Sequence, residues 1–108
     1  MQHYDTLIPH LWSIPVDPAV VINDPEMQTD EAVFLWGEDV TLGGYFNVTE
    51  GLVERFGIQR VIDTPISENA IVGGAVGAAM TGGRPIVEIL FSDFLSCCMD
   101  PILNQAAK

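Results

Sequence analysis

Asp63-Thr64-Pro65-Ile66-Ser67-Glu68, followed at once by the small-residue run from Asn69 to Gly83 and then by Arg84-Pro85-Ile86-Val87-Glu88, decides the fold of this chain. Residues 60–63 are centred on the apolar pair Val61-Ile62 and predict a short strand. Pro65 stiffens the exit from that strand, and Ser67 is a good N-cap residue, so a helix is predicted over 67–81 and stopped by Gly82-Gly83. Residues 85–91 then predict a further strand. One carboxylate, Glu68, therefore stands at the mouth of a helix just beyond a strand, with almost no other charge around it. Such an acid is expected to hold a raised pKa and to be fit to trade a proton with a bound base. The competing reading is a first-turn glutamate that only favours the helix dipole.

Working outward, residues 32–37 form another apolar run suited to a buried strand, 39–47 a glycine-bearing loop, and 48–56 a short helix stopped at Gly57. Residues 93–107 predict a last helix. Strands recurring about every 26 residues with helices between them predict right-handed βαβ crossovers and an α/β fold with a parallel sheet flanked by helices in three layers. Ligands in such sheets gather beyond the carboxyl ends of the strands, where Glu68 and Phe94 both fall. Before this domain, residues 1–31 hold Pro9, Pro15, Pro18 and Pro25 without a sustained period and predict an irregular leader, so the domain is read as 32–108.

The formal net charge is −11, and all four basic residues (Arg55, Arg60, Arg84, Lys108) lie in the second half of the chain. Nucleic-acid binding calls for the opposite sign and is excluded. The longest run without a polar side chain, from Ala70 to Met80, is too short and too glycine-rich to span a bilayer. With no cationic leader, an intracellular chain is expected. Cys97 and Cys98 are adjacent, which disfavours a mutual bridge, and no metal-ligand spacing surrounds them. Both are expected to be reduced and mostly buried. His3 and His10 are read as surface residues, and the Asn47-Val48-Thr49 sequon as chance. The run Gly73-Gly74-Ala75-Val76-Gly77 is no phosphate-binding fingerprint. Gly73 and Gly77, four apart on one helix face, instead predict close approach of a second helix.

Four blocks carry a resemblance: Phe34-Leu-Trp-Gly-Glu-Asp-Val40, Gly43-Gly-Tyr-Phe-Asn-Val-Thr-Glu-Gly-Leu52, Arg60-Val-Ile-Asp-Thr-Pro-Ile-Ser-Glu68 and Asn104-Gln-Ala-Ala-Lys108. From Phe34 to Lys108 the chain resembles the β subunit of the thiamine-diphosphate-dependent 2-oxo acid dehydrogenases, which include the pyruvate, branched-chain and acetoin types. The resemblance implies a transketolase-like pyrimidine-binding domain, truncated here to its first part and expected to be inactive alone. It implies that Glu68 is the glutamate that shares a proton with the pyrimidine nitrogen N1′ of thiamine diphosphate. It implies that Phe94 packs on the aminopyrimidine ring, that Ile66 lines the same ring, and that Glu38 lies near the cofactor. The implied partners are an α subunit, which would hold the diphosphate and its magnesium, a second β subunit, and the lipoyl acyltransferase that receives the acyl group from a 2-oxo acid. The implied location is the cytoplasm, or the mitochondrial matrix in a eukaryote.

Two departures accompany the resemblance. The leader does not match the family's opening helix, and Pro101 stands where glutamine is common, inside the expected last helix. A non-catalytic α/β fragment or remnant, acting only in subunit interaction, is the alternative function. The implied chain should bury its core poorly alone and be aggregated, partly molten or oligomeric.

Overall fold

A computed structural model describes residues 24–108. Its centre is a three-stranded parallel sheet in the order β2-β1-β3, built from β1 (Val33–Gly37), β2 (Val61–Asp63) and β3 (Arg84–Val87). Leu35 pairs with Val61 on one side and with Ile86 on the other. Parallel strands need long crossovers, and helices supply them here. A loop and α2 (Leu52–Phe56) join β1 to β2, while α3 (Glu68–Met80) carries the chain from β2 across β1 to β3. The α/β architecture expected from the alternation is the one observed.

Alternate residues of β1 serve the two faces, as the strand period of two requires. Val33 and Leu35 join Met27, Val40, Leu52 and Val61 in one core cluster, with Phe56 and Ile86 packed against it. Trp36 points to the other face, where its indole Nε1 donates to the Ile71 carbonyl of α3 at 3.1 Å. A Cβ on Gly74 would stand 3.1 Å from the indole ring, so glycine is what lets this helix close on the sheet. The sequence pattern singled out Gly73 and Gly77. The fold places Gly73 opposite Pro101 of the last helical stretch, leaves open space beside Gly77, and meets the sheet at Gly74.

Several element boundaries differ from the sequence reading, each for a local reason. A short helix, α1 (Asp24–Thr29), lies in the segment read as leader, and Met27 of that helix is buried in the core. Pro25 is tolerated because it falls in the helix's first turn. The Arg60 guanidinium ties α1 down, donating to the carbonyls of Met27 (2.6 Å), Asp30 (2.9 Å) and Val33 (2.8 Å). Arg84 adds an ion pair to Asp30. The helix expected over 48–56 begins only at Leu52, because Asn47 and Gly51 both take positive φ and the Thr49 hydroxyl is spent on the Val40 carbonyl at 2.7 Å. Strand β3 stops at Val87, since its partner β1 ends at Gly37 and the chain turns away at Asp39, φ 53°.

The last helical stretch changes its winding. Ser92–Cys98 is a 3₁₀ helix and Pro101–Ala106 a π-helix whose Ala107 N–H bonds the Ile102 carbonyl at 2.9 Å. Pro101 sits in the first turn of that wide segment, where its missing N–H is tolerated. The two cysteines are both free, but only Cys98 is buried; Cys97 is exposed because the 3₁₀ winding turns it outward. The proline-rich part of the leader, with His3 and His10, lies outside the described residues.

Candidate cofactor site at the carboxyl ends of the strands

Each strand ends by delivering a carboxyl group. Glu38 follows β1, Glu68 follows β2 by way of Pro65 and Ser67, and Glu88 follows β3. Ser67 occupies the N-cap position of α3 as expected, but with φ −164° and ψ 82° its side chain makes no capping bond. Glu68, the first residue of α3, is half-buried. Its charge reaches Glu38 on one side and the Cys98 thiol on the other. Cys98 belongs to the helical stretch that carries Phe94, its Sγ 3.7 Å from the Phe94 carbonyl, so the Glu68 charge acts on that stretch.

Phe94 is half-buried and heads a chain of rings in edge-to-face contact. Its centroid lies 5.4 Å from Phe91, and Phe91 lies 5.5 Å from both Phe46 and Tyr45. Tyr45 and Phe46 are exposed at the outer end of that chain. Ile66 is 81% exposed on the loop between β2 and α3. An apolar side chain so placed is available for a flat ligand or a partner surface to cover. An open cleft of about 320 Å³ is lined by Glu38, Asp39, Leu42, Gly44, Tyr45 and Leu90.

The loop after β1 is tied to β2 by hydrogen bonds. Asp63, the first residue of the deciding stretch, accepts from the Thr41 N–H at 2.9 Å and from its hydroxyl at 2.5 Å. Gly43 and Gly44 take φ of 105° and 71°, a region that favours glycine, and the Gly44 N–H bonds the Asp39 carbonyl at 2.9 Å. Asp63, and Arg60 just before it, therefore build the fold, leaving Glu68 as the acid that makes none of these bonds.

Sequence reasoning passed over Glu88. Burial, and then the Glu38 charge, push its carboxyl up to about 7. Burial, then Glu68 and Asp39, also raise Glu38. Glu88 is flanked by Val87 and Ile89 in a strand-like run, and only its run of apolar neighbours could have signalled a buried acid. Among the described residues no group of three histidines, cysteines or acids is placed to hold a metal ion, and no helix is long and apolar enough to cross a membrane.

The family described as "Transketolase, pyrimidine binding domain" matches residues 23–108, a span that runs from α1 through the three strands to the last residue. The chain belongs to this family. Among similar proteins, the 2-oxoisovalerate dehydrogenase subunit beta of Bacillus subtilis is 51% identical over 84 residues, covering 77% of this chain and 26% of that protein. The pyruvate dehydrogenase E1 component subunit beta of Rhizobium meliloti is 50% identical over 84 residues, 77% of this chain and 18% of that protein. The acetoin:2,6-dichlorophenolindophenol oxidoreductase subunit beta of Bacillus subtilis is 47% identical over 95 residues, 76% of this chain and 28% of that protein. The pyrimidine-binding domain described here thus spans about a quarter of the length of these relatives or less. The dehydrogenase β-subunit resemblance and the transketolase-like fold both stand.

Proposed function

We propose that this chain is the pyrimidine-side portion of a thiamine-diphosphate-dependent 2-oxo acid dehydrogenase β subunit. The observation that carries the reading is Glu68 at the first turn of α3, facing the same end of the sheet as the Phe94 ring chain. The residues present suit the cofactor's pyrimidine. An aromatic face and the exposed Ile66 suit a flat heterocycle, and a first-turn carboxyl suits a ring nitrogen that takes up and releases a proton. When bound, thiamine diphosphate supplies a nucleophilic carbon that attacks a 2-oxo acid. Glu68 holds and returns a proton at N1′, Phe94 and Ile66 orient the ring, and the ring chain keeps water from that face. Glu38 stands beside Glu68, and burial, then the Glu68 charge, hold its own carboxyl above the usual range.

In this reading a partner α subunit holds the diphosphate and its magnesium. A second β subunit and a lipoyl acyltransferase complete the assembly, and the chain alone is inactive. It works in the cytoplasm, or in the mitochondrial matrix of a eukaryote.

Two variants test the reading within a complete α/β assembly. Phe94→Ala removes a ring contact worth about 0.5–1.5 kcal/mol beyond burial, so thiamine diphosphate should bind roughly tenfold more weakly in calorimetry. Unchanged affinity would remove Phe94 from the site. Gly77→Leu places a side chain where this chain offers open space, so its own fold should persist. Sedimentation should then show assembly impaired if the Gly77 face receives a partner helix. Intact assembly would show that it does not.

A further inference from the structure

The Glu88 carboxyl is wedged against backbone. A Cβ on Gly44 would lie 2.8 Å from its Oε2 and 2.9 Å from its Oε1, and a Cβ on Gly37 would lie 3.0 Å from the Glu88 Cβ. The acid therefore fills the space that two glycines leave free. Oε2 is sealed from solvent and has no hydrogen-bond partner. Among the described residues the one charge acting on it is that of Glu38, which is itself acted on by Glu68 and Asp39. The other charged or titratable groups on the elements around it include Asp63, which bonds Thr41 of the turn, Tyr45, next to Gly44, Asp93, beyond β3, and Arg84, which starts β3 and pairs with Asp30. An ionised carboxylate in this position would be desolvated and repelled at once, whereas a neutral carboxyl is tolerated.

We propose that Glu88 is a proton-linked positioning residue for the acid site. Its neutral carboxyl fills the space behind Gly44 and holds the turn over residues 38–44, and on ionisation it leaves that space and releases the turn that carries Glu38. The inference rests on the cofactor reading only in naming the site that is regulated. The sign follows from the raised pKa. Protonation of Glu88 stabilises the fold fully below the unfolded glutamate value of 4.5, and that stability is lost as pH rises through about 7. The turn should thus be firm in mild acid and loosened in mild base.

The test uses the full 108-residue chain and needs no cofactor. The infrared band of the protonated carboxyl, taken as the difference between wild type and Glu88→Gln, should persist at about pH 5 and vanish with a midpoint near 7. Deuterium uptake by the 38–44 peptide, corrected for intrinsic exchange, should rise with the same midpoint in wild type and stay low in Glu88→Gln. Glu38→Gln removes the like charge and should move the midpoint down. Gly44→Ala should expel the carboxyl and return it to an ordinary glutamate midpoint, which keeps the test decisive if Glu88→Gln folds poorly. A carboxyl band already absent at about pH 5, or protection of the turn that ignores pH in wild type, would overturn the proposal. Neither result bears on thiamine diphosphate binding, whose loss from a complete assembly would instead defeat the cofactor reading.

Discussion

Glu68→Gln, introduced into a complete α/β assembly, should leave thiamine diphosphate bound while slowing hydrogen–deuterium exchange at the cofactor's C2 by roughly 10²–10⁴, the share that a positioned acid–base group supplies. Glutamine keeps the shape of Glu68 at the first turn of α3 and its hydrogen-bonding reach, but it cannot accept or return a proton. Affinity and exchange rate should therefore separate in this variant. Phe94→Ala should do the reverse, because a ring contact holds the pyrimidine and moves no proton. Exchange as fast in Glu68→Gln as in wild type would return Glu68 to the role of a helix-start residue.

Leu35→Ala should have the largest effect on stability. Leu35 is 1% exposed at the centre of the central strand, between Val61 and Ile86, and within the cluster that Met27 and Leu52 complete. Truncating such a leucine costs about 2–5 kcal/mol. Small domains are stable by only about 5–15 kcal/mol, so the variant should lose a large part of its folding free energy. Ile58→Ala is the control, since Ile58 is 74% exposed and should change stability by about 0.5 kcal/mol or less. Urea denaturation of the three proteins compares them, and equal midpoints for Leu35→Ala and wild type would mean that the core lies elsewhere.

Much of this arrangement could be read from the residues because the signals were local. Val61-Ile62 and the apolar run before Gly37 are strand-like by composition, Pro65 and Ser67 mark a helix start, and Gly82-Gly83 marks its stop. The place of Glu68 and Phe94 beyond strand ends was legible from the order of the elements. What stayed hidden depended on contacts between distant residues. Met27 joins the core where Arg60, far along the chain, gathers the carbonyls of α1 and β1. Glycine spacing could not say which of Gly73, Gly74 and Gly77 meets the sheet, since that is set by the rotation of α3 over Trp36. The mixed winding after Phe91 reflects a proline at the start of the wide segment, where sequence pattern alone predicts a uniform helix. Glu88 was invisible for the same reason: its burial comes from Gly37 and Gly44 closing around it, and nothing in Ile-Val-Glu-Ile records that.

In the proposed reading the Glu68 carboxyl acts through the pyrimidine nitrogen N1′, and a double-mutant cycle tests that coupling. C2 exchange is measured in complete assemblies of wild type and Glu68→Gln, each loaded with thiamine diphosphate or with an analogue carrying CH in place of N1′. If carboxyl and nitrogen work as one unit, either change alone removes nearly the whole effect, and making both changes slows exchange little further. Two losses that simply multiply would show that Glu68 and N1′ act independently, and would contradict the assignment.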